Sequence, residues 1–245
     1  MKTLRLTSKD FKGTNYYWKE YVGKTDVSDF QGHIEIEGGL GYVRFGGYIK
    51  ATGHIIAEAG SGIKAGLGIK AGEGIKAGEG IEAGWGIEAG WGIKAGEGIK
   101  AGSGIEAGLG IKAGEGIKAG LGIEAGSGIE AGWGIEAGWG IKAGSGIKAG
   151  EGIKAGEGIE AGLSITCNLK LSFFYHIFAG ICTWRENCEE YKIITCGKFD
   201  PQNGATLEYG ILKEIGLPEE KVEPNFSGKE VSVTIDGKTY TAVVK

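Results

Sequence analysis

With 27 basic and 31 acidic side chains among 245 residues, the chain has a formal net charge of −4. That balance excludes a polycation made for nucleic acid and a strong acidic mimic of it. No run approaches the roughly 18 apolar residues of a membrane span, and Met1–Asp10 holds no apolar segment of signal length, so a protein that stays in the cytoplasm and off membranes is expected.

Residues 1–33 carry no repeat. Leu4-Arg5-Leu6 suits a strand, and Tyr16, Tyr17, Trp18 and Tyr21 cluster with Lys and Glu nearby. Aromatic and basic side chains together can stack on bases or sugars. A solenoid, however, needs its open end covered, because a bare coil presents unpaired backbone groups to other chains. Residues 1–33 are therefore expected to form an N-terminal cap. From Ile34 a theme of apolar, charged, apolar recurs in Ile34-Glu35-Ile36, Val43-Arg44-Phe45 and Ile49-Lys50-Ala51, with glycines between. Phe45 in the place of Ala predicts first coils that are wider or capped.

From Gly62 to Leu163 one phrase repeats without a slip: Gly-Ile-Lys/Glu-Ala-Gly-X, with X being Ser, Leu, Glu or Trp. Disorder does not require an apolar residue in phase at every sixth position. Collagen is excluded by alternating glycine spacing and the lack of proline. A helix would lose about 1 kcal/mol for each of its two glycines per unit. A short strand fits, with Ile and Ala on one face and the charge on the other. Gly-X-Gly then supplies a corner, for which glycine's access to positive φ is the expected reason. One unit alone cannot bury its Ile; stacked units can. Residues 34–168 are therefore expected to form a Gly-rich hexapeptide-repeat β-solenoid.

Either two or three units could complete a coil. Lys70, Glu82, Lys94, Glu106, Lys118, Glu130 and Lys142 alternate in sign at every second unit, as a ladder between 12-residue coils would. The pairs Trp85/Trp91 and Trp133/Trp139 are also offset by a multiple of 12. Both features favour two sides. In period the repeat resembles the left-handed β-helix of hexapeptide acyltransferases, although that family places its small residue two before the aliphatic one and here Ala lies two after. The resemblance implies a solenoid, and a trimeric acyltransferase with His54 as general base is one function that it offers.

Past Ile165-Thr166-Cys167 the glycine density falls. Leu169, Leu171 and Phe173 alternate with Lys170, Ser172 and Phe174 as a strand leaving the solenoid, and residues 169–245 read as a small β-rich domain. Asp236-Gly237, between two alternating runs, predicts a type I′ hairpin. Glu214–Glu223 reads as a loop or short helix. Cys167, Cys182, Cys188 and Cys196 match no common zinc spacing. Reduced structural thiols are the default, with disulfides or a metal site involving His176 as alternatives.

The segment from Phe178 to Glu190, following such repeats, resembles a module of uncharacterised proteins from bacteria and their phages. The resemblance implies no known chemistry. It admits a phage-encoded inhibitor of a host defence system, anti-CRISPR-like, acting in the host cytoplasm. No constellation of nucleophile, base and orienting group stands out, so a non-enzymatic protein without cofactor or metal is expected. The charged, Trp-broken array, without Thr between Gly53 and Ser164, argues against ice binding. Trp85, Trp91, Trp133 and Trp139 remain the candidate binding residues, because Trp is enriched at binding hot spots. The expected partner is a macromolecule, a protein in preference to a nucleic acid, with homo-oligomerisation as a further expectation.

Overall fold

The computed structural model is all-β, about 2% helical, and forms a parallel β-solenoid of about 10 turns. It describes residues 1–13, 18–181, 189–218, 230–235 and 238–243.

Each hexapeptide folds as its pattern dictates. In the strand Ile111–Ala113, Ile111 and Ala113 are buried and Lys112 is exposed, and the strands before and after it repeat that outline. The repeat's isoleucines are no more than 1% exposed, so one continuous column of Ile and Ala forms the core.

Strand pairing sets the coil at three units. Ile75 pairs with Ile93 and Ile93 with Ile111, and the charge pairs between coils also span 18 residues. The result is a three-sided prism with sheets of 11, 11 and 9 strands. Face 1 carries the central strands Ile75–Ala77, Ile93–Ala95 and Ile111–Ala113. Face 2 carries Ile81–Ala83, Ile99–Ala101 and Ile117–Ala119, and face 3 carries Ile87–Ala89, Ile105–Ala107 and Ile123–Ala125. The 12-residue coil is thereby overturned. The alternation that favoured it joins different faces: Lys70 lies opposite Glu88, and Glu82 lies opposite Lys64.

The glycines also act for another reason than the expected one. Those with positive φ, such as Gly39, Gly60 and Gly180, all lie outside the perfect repeat. Inside it, coil-to-coil approach is what excludes a side chain. A Cβ on Gly114 would stand 1.9 Å from the carbonyl oxygen of Gly96. On Gly116 it would stand 3.3 Å from the carbonyl oxygen of Gly134. The slot after Ala is therefore closed, whereas the slot before Ile is tight but needs a shift of only a few tenths of an ångström at Gly116. At both ends of the repeat that second slot is filled, by His33, Tyr42, Tyr48 and His54 and then by Ser164, Lys170 and His176.

The first coils are longer than those of the perfect repeat: Ile34 pairs with Ile55 and Ile55 with Ile75, spacings of 21 and 20 residues. Thr3–Leu6 edges face 1, and Phe11–Gly13 pairs antiparallel with Trp18–Tyr21 at the edge of face 2. The rings of Phe11, Tyr21 and Phe45, 5.3–6.0 Å apart, close this end of the core.

At the other end the strand Lys170–Phe173 stays in the solenoid, in parallel with Ile153–Ala155. His176–Ala179, Ile193–Cys196, Lys198–Pro201, Thr206–Tyr209 and Ile211–Glu214 extend the three faces beyond it. Leu171, Phe173, Ile177, Ile194 and Cys196 continue the buried column without the glycine signature. Glu230–Ile235 and Lys238–Val243 form a separate antiparallel pair; the Asp236-Gly237 turn lies outside the described residues, as do Tyr16, Tyr17, Cys182 and Cys188 and most of the Phe178–Glu190 segment. Among the described residues no helix is long and apolar enough to cross a membrane.

Candidate binding surface

The X residues stack in three columns, one at each corner, joined by backbone hydrogen bonds between coils. At the corner between faces 2 and 3 the Trp85 amide donates to Leu67, Ser103 to Trp85, Leu121 to Ser103 and Trp139 to Leu121. Trp85 and Trp139 therefore share one column, three coils or about 14 Å apart. Trp91 stands at the corner between faces 3 and 1, above Glu73 and below Leu109. Trp133 stands at the corner between faces 1 and 2, between Glu115 and Glu151. The four candidate tryptophans thus occupy three edges of the prism and form no single patch. Each is 54–57% exposed, because the glycines on either side offer no side chain to pack against.

A groove of about 870 Å³ runs along face 3. Its floor is made of Gly86, Gly104, Gly122 and Gly140, and its ledge carries Tyr48, Trp85, Leu121, Trp139 and Tyr175. Tyr48 packs edge-on to Trp85 at 5.8 Å, with Lys50 Nζ 4.1 Å above the Tyr48 ring. Tyr175 lines up with Trp85 only because the coils are 18 residues long, whereas Leu121 would do so in a 12-residue coil as well. Trp91 lines the matching groove on face 1, and Trp133 the one on face 2.

Beside each groove runs the outward row of Lys and Glu. Much of it alternates: Lys112 bonds Glu130 and Lys118 bonds Glu136, each at 2.8 Å. Those hydrogen bonds, helped by the positive charge, hold both carboxyls below the usual range. Among the described residues, pairs of like charge also occur, such as Lys100 and Lys118 on face 2 and Lys50 and Lys70 on face 3, and two runs hold three like charges each. On face 1, Lys76, Lys94 and Lys112 lie directly in register. On face 3, Glu88, Glu106 and Glu124 do the same. Like charges opposite one another are unfavourable; Lys70 and Lys142 relieve the two outer glutamates, at 2.6 and 4.0 Å, and Glu106 sits between two carboxylates.

No protein-family model, curated protein or solved structure matches the chain.

A second cluster lies at the start of face 1, where His33, His54 and Glu73 bring one donor atom each within 4.8 Å of the others. Two imidazoles and a carboxylate are zinc-type donors, but their aim is poor. His33 Nδ1 already accepts the His54 amide at 3.1 Å. The rings stack at 4.0 Å with 24° between planes, so their in-plane lone pairs do not converge on a point. His54 instead places Nδ1 3.6 Å from Glu73 and Nε2 3.7 Å from Glu35, and Nε2 is buried without a hydrogen bond. The sequence conceals this cluster because its members are far apart in the chain; the one signal is that both histidines fill the slot before an isoleucine.

His176 pairs at 3.6 Å with Glu160 and joins no three-donor cluster among the described residues. Cys167 and Cys196 are free and buried in the core. Burial pushes the Cys167 thiol up to about 12 and the Cys196 thiol up to about 11. Both remain protonated and are poor metal ligands. In the N-terminal aromatic group, Tyr21 packs on Phe45 and donates its hydroxyl to the Thr25 carbonyl at 2.8 Å. Lys64 Nζ lies 4.8 Å over the ring of Trp18. These two are engaged in packing at the solenoid's end.

Proposed function

We propose that this β-solenoid is a non-catalytic scaffold that binds another protein along the aromatic ledge of face 3. The observation that supports it most is the exposure of Trp85 and Trp139, each more than half accessible on a backbone held by hydrogen bonds to the coils on both sides. A ledge fixed in this way has little ordering left to lose on binding, and Trp supplies large contact area at a hot spot. The row beside it, Glu88, Glu106 and Glu124, disfavours a phosphate backbone and suits a protein surface with basic residues.

The test is affinity capture from the producing cell with the wild type and a Trp85→Ala/Trp139→Ala variant, analysed by mass spectrometry. A partner captured by the wild type and lost by the variant, at unchanged melting temperature, is the expected result. Equal capture by both would overturn the ledge as the site.

A further inference from the structure

We propose that one partner of face 3 is a second copy of this chain, presenting its face 1. The inference rests on the binding reading above and gives that site a specific occupant. Its basis is the pair of like-charge ladders. Lys76, Lys94 and Lys112 follow one another in register on face 1, and Glu88, Glu106 and Glu124 do so on face 3, in the same coils. Face 2 alternates sign over much of its length, with Lys64 on Glu82 at 3.0 Å and Glu136 between Lys118 and Lys154, and its like-charge neighbours, Arg44 with Lys64 and Lys100 with Lys118, occur only as pairs.

Within one molecule the two ladders lie on different sides of the prism and cannot neutralise each other. Between two molecules they can. A row of charges repeating at the coil spacing of about 4.8 Å is matched in step by an object with the same spacing, and another copy of this solenoid has it. The edges of both faces carry apolar side chains suited to such a contact. Trp91 and Leu109 stand beside face 1, and Trp85 and Leu121 beside face 3, all of them at least 36% exposed. Because face 1 meets face 3, the contact is heterologous: it leaves one face of each kind free at the ends, so assembly continues into a ring or a filament.

The experiment is sedimentation velocity of the full chain over a concentration series at low and high salt. Four proteins are compared: wild type; Lys76→Glu/Lys94→Glu/Lys112→Glu; Glu88→Lys/Glu106→Lys/Glu124→Lys; and all six changes together. The wild type should assemble at low salt and dissociate at high salt, since exposed charge contacts are screened. Each triple variant makes both faces alike in sign and should weaken association at least tenfold. The six-fold variant restores opposite signs and should assemble again, and the two triple variants should co-assemble when mixed. Every variant keeps a like-charge ladder on each face, and melting temperatures confirm that the fold is retained. A wild type that is monomeric at all concentrations overturns the proposal, as does association of the triple variants at wild-type strength. If the chain proves monomeric while partner capture still depends on Trp85 and Trp139, self-assembly fails and the ledge reading stands. Charge-dependent assembly, together with a capture that ignores those tryptophans, upholds self-assembly and overturns the ledge.

Discussion

The ammonium of Lys112 lies 2.8 Å from Oε2 of Glu130, 18 residues away and one coil up. The Glu130 carboxyl, bonded to Lys112 and attracted also by Lys148, titrates below its ordinary 4.5. A folded-state value lowered in this way stabilises the fold above the ordinary value, and the gain is lost as pH falls through the folded one. Because the pair is about half exposed, its worth at pH 7 should be about 0.5 kcal/mol. Glu130→Gln should therefore lower stability by that amount in urea titrations at neutral pH. The difference should shrink as pH is stepped from about 5 toward 2, and a difference that stays constant would place the effect elsewhere.

The glycines make a sharper prediction. At Gly114 an added Cβ meets a backbone oxygen at 1.9 Å, and backbone cannot swing aside. Gly114→Ala should force adjacent coils apart and cost about 1–3 kcal/mol. At Gly116 the nearest oxygen is 3.3 Å away and φ is not positive, so Gly116→Ala should stay within about 1 kcal/mol of the wild type. Thermal melts of the two variants check this. Equal losses would mean that the glycines serve local turns and not the approach between coils.

This contrast shows what the sequence makes legible. That Ile111 and Ala113 point inward and Lys112 outward follows from alternation alone, and so does the stacking of units. The number of sides does not, because coils of 12 and 18 residues are both whole numbers of hexapeptides, and the alternation from Lys70 to Lys142 is satisfied on paper by the wrong one. The continuation past Cys167 is hidden for a different reason. Leu171, Phe173, Ile177 and Ala179 keep the inward pattern, but the corners between them no longer need Gly-X-Gly, and the visible signature stops. The exposure of the tryptophans could be inferred from their glycine neighbours. Their distribution over three corners depends on the coil length.

The buried thiols carry a prediction on alkaline stability. Cys167 and Cys196 have values of about 12 and 11, raised above the ordinary 9.0 chiefly by burial, with the neighbouring Cys196 thiol adding to the first and the Glu214 carboxylate to the second. A raised value favours the fold below pH 9, where both states hold the proton, and that gain is lost as pH climbs from 9 through the folded values. In a Cys182→Ser/Cys188→Ser background, both thiols should resist a water-soluble thiol reagent at pH 8 in the native protein and react in full in denaturant. Further replacement of both by Ala should flatten the fall in stability above about pH 9. Rapid native labelling would mean that this end of the core opens.

The ledge is tested by comparing tryptophans on different corners. Trp85 and Trp139 share the face 3 groove, whereas Trp133 overlooks face 2 between two glutamates. All three rings are more than half exposed, so truncation to Ala should cost each variant about 1 kcal/mol of stability or less. Partner affinity should separate them. Trp85→Ala and Trp139→Ala should each weaken binding by about 2 kcal/mol or more, as hot-spot residues do, and Trp133→Ala should leave it within about 0.5 kcal/mol. Melting temperature and affinity are measured on the same preparations. A stability loss of about 3–5 kcal/mol for Trp85 or Trp139 would make the rings structural covers, and an equal loss of affinity for all three would spread the contact around the prism instead of along one face.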